Sequence, residues 1–560
     1  MKKMIKKTIP LCLASMLLIS GTFTACKKES INTENHLEIK MYEAGNGTES
    51  IKNVAKRFME LNPGKTIEIK TNTDPRIIEG EIENGPSINT VDLYLAGGDF
   101  FNLVAKGSRT FDGVKYDSLF EPLNDIYENP ATGETTLIKD KMYKGYSEYY
   151  YKSLETAYFA PWVGDWQGIV YNSKMFETYG WEIPLTTDHL YEVCEDILDT
   201  QAVSTNKNSL GQEIQITPFT YSREDSYWPS VYQEWRAQYD GIDVVDLALQ
   251  GKNAKGEYNP DCVASQGVLE SMKVMERLLG TYEKVNGSVV ERERVYTDNT
   301  LSFRTYTDSQ STFLYGEEAR RNATGATTAA MMPNGGWLEN EMSANFAEEI
   351  ASGKVAFKAM KTPIVSALAN KTSFKEAENK DLKLREVIAY IDNNKQGEKP
   401  AFATDADIKI VEDARLIVTP QSSAVMIIPA YSSSKELAKE FIRFLYSDEG
   451  CKIFIEATQG IELPIYCDYT GVTLSSFQQS KMEIVKRENV VQFIYGRKYP
   501  MAMKGSLYTF TNTGAFGNME GRYGVSNPKD YMTAEEMFTI NYNATRDAWD
   551  RSMQDAGLLQ

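Results

Sequence analysis

The stretch from Pro161 to Phe176 places the strongest restriction on how this chain can fold. Trp162 and Trp166 lie four residues apart beside glycines, and the short apolar run after them ends in Tyr171-Asn172. A helix-sized block follows, a glycine and a proline end it, and Thr186-Thr187-Asp188 opens a longer helix. The pattern predicts a strand that crosses from one part of the fold to another, with aromatic side chains at its start.

The residues before this stretch alternate between strands and helices. Strands are predicted at Leu37–Met41, Thr66–Lys70 and Val91–Leu95, and the helix between the first two carries its apolar residues on one face. This βαβ pattern with a glycine turn indicates a parallel sheet, and ligands of such sheets lie beyond the carboxyl ends of the strands. The candidate ligand-binding residues at those ends are Tyr42, Glu43, Asn46, Gly98 and Asp99.

The residues after the crossing stretch supply most of the aromatic side chains. A run of small residues from Thr328 leads through a glycine turn to Trp337 and Glu339. Sugars present apolar C–H faces and many hydroxyls, so an indole ring can cover the face while carboxylates and amides bond to the hydroxyls. The candidate sugar-binding residues are Trp162, Asp165 and Trp166 in the crossing stretch and Trp228, Trp337 and Glu339 after it.

Several blocks of the sequence resemble the carbohydrate-type extracellular solute-binding proteins of ABC importers, the family of maltose-binding protein. The resemblance rests on the strand that ends in Tyr171-Asn172, the small-residue block that ends at Trp337, the block from Ser434 to Gly450, and Gly460–Pro464. It implies an α/β fold of the periplasmic-binding-protein kind, a two-lobed clamp. Each lobe is then a sheet flanked by helices, and a hinge joins the lobes.

The resemblance also implies domain boundaries. We expect the first lobe to comprise 37–165 and 364–455, the second lobe to comprise 166–363 and 456–560, and the hinge to cross near 160–168, 360–368 and 455–462. The segment 369–412 and the chain beyond about 470 have no counterpart in shorter members of the family, so their roles stay open.

The N-terminus has the features of a secretory signal. Several lysines precede an apolar stretch, Ile9–Phe23, that is too short to span a bilayer. The stretch leads to Phe23-Thr24-Ala25-Cys26, which resembles a lipobox, the motif in which the cysteine is lipidated. We therefore predict a lipoprotein signal peptide over 1–25, lipidation of Cys26, a tether over 26–36 and a location on the extracellular face of the cell membrane. An ordinary cleaved signal with an incidental cysteine is the alternative.

Charge and composition exclude several other classes of protein. The formal net charge is −18 at pH 7, which opposes binding to nucleic acid. The glycine-containing loops lack the GxGxxG and GxxxxGK[ST] spacings of phosphate-binding loops. His36 and His189 are the two histidines of the chain, which are too few for a histidine-based metal site or catalytic triad to be expected. We therefore predict no metal and no cofactor.

Of the six cysteines, Cys12 lies in the predicted signal peptide and Cys26 is the predicted lipidation site. The four that remain are Cys194, Cys262, Cys451 and Cys467. Their spacing leaves two interpretations open, which are buried free thiols or a disulfide between Cys451 and Cys467.

These observations predict a monomeric, membrane-anchored binding protein. It would capture a neutral sugar or oligosaccharide between its lobes and deliver this ligand to ABC permease subunits, without catalysing a reaction. Binding of a peptide or another small solute is one alternative, and a sensor that reports the ligand to a membrane kinase is a second. An extracellular glycosidase is a third, because Glu43, Asp99, Asp165 and Glu339 could place two carboxylates across a cleft.

Overall fold

A computed structural model of the protein describes residues 34–43, 45–74, 76–200, 203–207, 213–222, 227–297, 305–314, 327–353, 355–420, 424–486, 489–496, 498–504, 522–525 and 527–559. The predicted signal peptide, the lipidation site Cys26 and most of the predicted tether lie outside these ranges. Within them, no helix combines the length and the apolar character needed to cross a bilayer. The same part of the chain contains no group of three His, Cys, Asp or Glu side chains placed to hold a metal ion.

The strands form two main sheets and two short hairpins. In chain order they are β1 (His36–Tyr42), β2 (Thr66–Asn72), β3 (Leu93–Gly97), β4 (Arg109–Phe111), β5 (Val114–Tyr116), β6 (Ala160–Pro161), β7 (Trp166–Tyr171), β8 (Val203–Lys207), β9 (Glu213–Phe219), β10 (Tyr282–Val285), β11 (Ser288–Glu291), β12 (Thr327–Gly335), β13 (Lys358–Met360), β14 (Ile417–Pro420), β15 (Ala424–Ile427) and β16 (Val491–Gln492).

Helices cover both main sheets. In chain order they are α1 (Glu49–Leu61), α2 (Arg76–Asn84), α3 (Phe101–Val104), α4 (Asn124–Glu128), α5 (Ile138–Lys141), α6 (Lys144–Ser147), α7 (Ser173–Tyr179), α8 (Thr187–Asp199), α9 (Trp228–Asp240), α10 (Ile242–Leu249), α11 (Gln266–Leu279), α12 (Tyr306–Leu314), α13 (Leu338–Ala351), α14 (Lys380–Asp392), α15 (Asp405–Arg415), α16 (Lys435–Leu445), α17 (Asp448–Ala457), α18 (Ser476–Val485), α19 (Pro500–Lys504), α20 (Ala534–Asp547) and α21 (Trp549–Asp555).

The first sheet has the strand order β2-β1-β3-β15-β6. β1 pairs in parallel with β2 and β3, which confirms the βαβ pattern read from the sequence. Leu37, Ile39 and Met41 alternate along β1 and are fully buried. The apolar stripe of α1 packs in one core with the residues of this sheet, and Phe58 of that stripe meets the ring of Phe441 on α16 edge to face at 5.7 Å.

The second sheet has the strand order β16-β14-β7-β12-β9-β8, and β13 also pairs with β7. Helices bury both of its faces, since Ile169 of β7 packs in one core cluster and Val170 packs in another. The chain leaves the first sheet at Pro161 and enters the second at Trp166. The stretch that the sequence identifies as a crossing strand therefore joins the two lobes.

The structure divides the chain between the lobes at other points than the sequence predicts. The sequence predicts a return to the first lobe at residue 364, but α14 and α15 pack in the core of the second lobe and β14 joins its sheet. Only from Ala424 onwards does the chain run in the first sheet again. The segment 369–412 is rich in charged residues, and this composition conceals an apolar stripe that includes Leu384 and Ile388.

The third passage between the lobes also lies later than expected. Ile461, Leu463 and Ile465 still pack in the core of the first lobe, whereas Phe477 packs beside the second sheet. The hinge therefore crosses near 161–166, 420–424 and 465–477. The predicted crossing near 360–368 is wrong, because that part of the chain stays on the second lobe.

The described part of the chain contains one disulfide, between Cys451 and Cys467, whereas Cys194 and Cys262 are buried free thiols. The bond ties α17 of the first lobe to the start of the third crossing. It closes a loop with a sequence separation of 16 residues.

We expect the substitution Cys467→Ser to lower the free energy of unfolding by about 3 kcal/mol, because the unfolded chain regains the freedom that the closed loop removes. Urea unfolding with and without a reductant measures the effect. The reduced wild type should match the variant, and the variant itself should not respond to reductant. Equal stability of oxidised and reduced wild type would contradict a stabilising role for the bond.

Glu234 is a buried carboxyl of α9 that accepts a hydrogen bond at 3.1 Å from the backbone N–H of Thr419, next to the second crossing. Burial raises its pKa from 4.5 to about 7. Folding therefore takes up a proton between these two values, so the contribution of this carboxyl to stability is greatest below pH 4.5 and is lost as the pH rises to about 7.

We expect Glu234→Gln to remove this loss, so that at pH 8 the variant is more stable than the wild type by at most about 3 kcal/mol. Denaturant unfolding at a series of pH values measures the difference. Glu348→Gln on the exposed face of α13 is the matched control and should leave the slope unchanged. Parallel stability curves for wild type and Glu234→Gln would show that Glu234 ionises normally.

Candidate functional site

A cavity of about 810 Å³ lies between the two lobes. Its walls come from the carboxyl ends of the first sheet, the crossing strands, the starts of α9 and α13, and the segment after β16. The described residues that line it are Tyr42, Glu43, Gly45, Asn46, Gly47, Thr73, Gly97, Trp162, Gln167, Tyr227, Pro229, Ser230, Tyr306, Trp337, Asn340, Glu341, Ala424 and Tyr495.

The wall from the first lobe is built around Tyr42 and Gly97. These residues end the neighbouring parallel strands β1 and β3. The ring of Tyr42 covers Gly97 so closely that a Cβ atom at Gly97 would lie 2.5 Å from it. Glycine at this position therefore fixes where the tyrosine ring stands in the cavity.

The wall from the second lobe carries a pair of aromatic rings. Trp337 precedes α13, Tyr227 precedes α9, and their ring centroids are 5.3 Å apart with the planes tilted by 56°. Trp337 is only 6% exposed, and its ring covers Gly335, where a Cβ atom would lie 2.3 Å away. The indole is thus held rigidly by contacts on several sides.

The lobes touch each other across the cavity. The amide Nδ2 of Asn340 donates a hydrogen bond to the backbone oxygen of Gly45, so α13 of the second lobe reaches the loop after β1. A Cβ atom at Gly45 would lie 3.1 Å from Trp337 and 3.2 Å from the carboxyl of Glu341. The structure therefore represents a closed arrangement, in which the two lobes pack closely at this point.

The floor of the cavity lies at the hinge. Trp162 is almost fully buried, and its Nε1 donates a hydrogen bond at 3.2 Å to the backbone oxygen of Ala96. The hydroxyl of Ser230 donates to Oε1 of Gln167 and lies 3.2 Å from the hydroxyl of Tyr495. These contacts leave a floor that is partly indole and partly hydroxyl and amide.

Charge in the cavity has one sign among the described residues. Glu43 and Glu341 contribute carboxyl groups, and Glu341 accepts a hydrogen bond from Nε2 of Gln310. No lysine, arginine or histidine is among the described lining residues. The arrangement can accept hydrogen bonds from hydroxyl or ammonium groups and can cover flat apolar faces, whereas an anion finds no cationic partner there.

Five of the predicted site residues meet at the cavity wall: Tyr42, Glu43, Asn46, Trp162 and Trp337. Their part in ligand binding remains a prediction. Gly98 and Asp99 lie one and two residues beyond the lining residue Gly97 and are not part of the wall.

The other predicted site residues lie in the interior of the protein. Asp165 is fully buried, where Lys481 donates to it at 2.8 Å, and burial raises its pKa despite this partner. Trp166 packs in a core cluster of the second lobe, and Trp228 lies 5.3 Å from the ring of Phe219. Glu339 accepts a hydrogen bond from the hydroxyl of Ser475, and burial raises its pKa. These four residues hold the fold around the cavity and do not line it.

The sequence reading missed several lining residues on the second lobe, namely Gln167, Tyr227, Ser230, Tyr306, Asn340, Glu341 and Tyr495. A usable signal existed for two of them, because Asn340 and Glu341 lie one turn after the predicted Trp337. No local sequence signal marked Tyr495 as a lining residue, because its place in the cavity depends on how the C-terminal segment packs against the cleft.

We expect Gly97→Ala to lower the free energy of unfolding by about 2 kcal/mol, because the added methyl group displaces the ring of Tyr42. In a Tyr42→Ala background the same substitution should cost much less, so a double-mutant cycle measured by urea unfolding isolates the contact. Gly80→Ala is the control, since a Cβ atom there meets nothing within 4 Å and alanine favours the helix α2. Additive effects of Gly97→Ala and Tyr42→Ala would contradict the proposed contact.

Comparison with known proteins agrees with this architecture. Residues 44–201 match the family model of the bacterial extracellular solute-binding proteins. The fold is similar to that of a chitin oligosaccharide binding protein, with a TM-score of 0.53 at 16% identity, over 92% of this chain and 98% of that one. The apo form of RafE from Streptococcus pneumoniae gives a TM-score of 0.52 at 14% identity, over 92% and 98% of the two chains.

A third similar structure is the bacterial solute receptor AcbH, described as having an exclusive preference for β-D-galactopyranose, with a TM-score of 0.51 at 12% identity over 92% and 98% of the two chains. A sequence comparison with curated proteins finds no significant match. The resemblance to extracellular solute-binding proteins and the two-lobed α/β fold are thus confirmed. Identities this low show the fold and leave the ligand to be argued from the site.

Proposed function

We propose that this chain, which shares its two-lobed fold with the extracellular solute-binding proteins and matches their family model over residues 44–201, captures a neutral sugar or oligosaccharide for an ABC importer. The observation that carries the proposal is the composition of the cavity wall. Aromatic rings from both lobes stand beside carboxyl, amide and hydroxyl groups, and no cationic side chain is among the described lining residues.

This wall complements the chemistry of a sugar. Tyr42 and Trp337 offer flat apolar surfaces from opposite lobes, which suit the C–H faces of a pyranose ring. Glu43 and Asn46, with Gln167 and Ser230 across the cleft, offer acceptors and donors for its hydroxyls. An anionic ligand would have to lie beside the two carboxylates without a compensating charge, which is costly.

Closure of the two lobes explains how a permease could detect that a ligand is bound. A ligand that contacts both lobes binds the closed arrangement more tightly than the open one, so it shifts the population towards closure. A permease that recognises the closed surface would then distinguish loaded from empty protein. Delivery to permease subunits and anchoring through Cys26 are part of the proposal, and they rest on the family match and on the lipobox-like N-terminus.

Two similar structures give direction to the choice of test ligands. One is described as a chitin oligosaccharide binding protein, and the other as a receptor with a preference for β-D-galactopyranose. We therefore include chito-oligosaccharides and galactosides, together with gluco- and xylo-oligosaccharides, in the panel.

The test is a thermal-shift and tryptophan-fluorescence titration of the mature chain against this panel, with peptides, polyamines and uronic-acid oligosaccharides as comparison ligands. A sugar present at a hundred times its Kd should raise the apparent stability by about 2.7 kcal/mol. Chromatography of the recovered sugar checks that it is intact. A shift only with peptides or polyamines would overturn the sugar proposal, and shortened products would indicate a glycosidase.

We expect Trp337→Ala to weaken binding of the identified sugar by at least about tenfold, which corresponds to 1.4 kcal/mol, because the ligand loses an apolar platform. Isothermal titration measures the affinity. Trp181→Ala is the matched control, since Trp181 is similarly buried but stacks on Tyr179 and is absent from the described cavity lining. Unchanged affinity in Trp337→Ala together with a large loss of stability would assign this ring to packing alone.

A further inference from the structure

Glu341 lines the cavity from the first turn of α13, beside the ring of Trp337. The backbone N–H of Glu341 donates a hydrogen bond to the backbone oxygen of Trp337 at 2.8 Å, so the two residues lie one helical turn apart on the same face. A Cβ atom at Gly45 would lie 3.1 Å from the indole and 3.2 Å from the carboxyl group. An apolar ring and a hydrogen-bond acceptor therefore lie side by side in the wall.

A second helix orients the carboxylate of Glu341. Gln310 of α12 is fully buried, and its Nε2 donates a hydrogen bond to Oε2 of Glu341. The other oxygen, Oε1, lies on the side of the first lobe, 3.2 Å from the position that a Cβ atom would take at Gly45. An ionised carboxylate offers about four acceptor positions, so the bond from Gln310 orients the group without using all of its capacity.

The surroundings of Gln310 keep this amide in place. The hydroxyl of Thr328 on β12 donates to the backbone oxygen of Thr312 at 3.1 Å, and Leu314 packs in one core cluster with Met342 of α13. Among the described residues, the buried Oε1 of Gln310 has no hydrogen-bond partner, and burial of such an atom costs folding free energy. Such a cost is expected where a residue serves a site rather than the core.

We infer that Glu341 is a specificity-determining residue, whose carboxylate accepts hydrogen bonds from hydroxyls of the sugar unit that lies against Trp337, and that Gln310 positions it. The inference rests on the proposed function, because it concerns the ligand of the same cavity. Hydroxyls surround a pyranose ring, so a unit against the indole also reaches the carboxylate beside it. A ligand without a hydroxyl at that place leaves a desolvated carboxylate without a partner, which lowers its affinity.

The same carboxylate determines which ligands the cavity rejects. It has no hydrogen to donate, so an ether oxygen, a methyl group or a carboxylate of a ligand finds no partner at this place. Glu43 adds a second carboxyl group from the first lobe. The favoured ligand is therefore a sugar whose unit at Trp337 carries an unsubstituted hydroxyl.

The experiment measures binding of the gluco-, xylo- and chito-oligosaccharides and galactosides of the panel by isothermal titration, each intact and as a set of monodeoxy derivatives. In the wild type, at least one derivative of a bound sugar should bind at least about tenfold more weakly than the intact sugar. Glu341→Met preserves the length of the side chain and removes both acceptors, so one such penalty should vanish while the penalties for other hydroxyls remain. Glu341→Gln keeps one neutral acceptor and should give an intermediate penalty. Glu348→Gln on the exposed face of α13 is the matched control and should keep the wild-type pattern.

The substitution Gln310→Leu tests the positioning role. It keeps the size of the buried side chain and removes the donor, so the carboxylate loses its fixed orientation and the penalty for the same hydroxyl should fall several-fold. In a Glu341→Met background, Gln310→Leu should have no further effect on affinity. An equal effect in both backgrounds would show that Gln310 does not act through Glu341.

The outcomes separate the inference from the function beneath it. If wild type binds no sugar of the panel, the proposed function fails and the inference fails with it. If wild type binds a sugar and Glu341→Met weakens the intact sugar and every derivative by the same factor, the function stands and the role of Glu341 in specificity is wrong. Circular dichroism checks folding, and Glu341→Gln still tests the acceptor if the methionine variant does not fold.

Discussion

The buried ion pair between Asp165 and Lys481 is the interaction on which the arrangement of the lobes depends. Both side chains are fully buried, their charged atoms are 2.8 Å apart, and Lys481 also donates at 2.6 Å to the backbone oxygen of Gly460. The pair thereby joins the first crossing to α18, the helix that follows the third crossing, and Gly336 lies against it where no side chain would fit. Loss of either partner leaves a buried charge uncompensated, which typically costs about 3–5 kcal/mol.

The cavity lies between the two lobes. The carboxyl ends of parallel strands bring Tyr42 to one side, and the glycine turn before α13 brings Trp337 to the other. A hydrogen bond from Asn340 to the backbone oxygen of Gly45 connects the two lobes beside the cavity. Because both lobes supply lining residues, a ligand that contacts both walls favours the closed state.

Individual residues show which parts of the site and the fold could be predicted from the sequence. Tyr42 and Trp337 were accessible because a strand end and a glycine turn are local signals. Asp165 and Trp166 share the residue types of a sugar site, but their positions beside a crossing turn them into the interior. The reading of residue 364 as a return to the first lobe failed for a similar reason. The following segment is rich in charged residues, but its apolar stripe packs in the core of the second lobe.

The sequence by itself determined the βαβ start, the crossing strand and the α/β class, because periodicity and turn residues act over a few neighbouring positions. It also left open the pairing of Cys451 with Cys467, which the tertiary structure decided. Only the tertiary structure placed Tyr495 in the cavity beside Gln167, from which it is separated by more than three hundred positions in the chain. Such contacts depend on how the segment around Tyr495 packs against both lobes, and no local pattern encodes that packing.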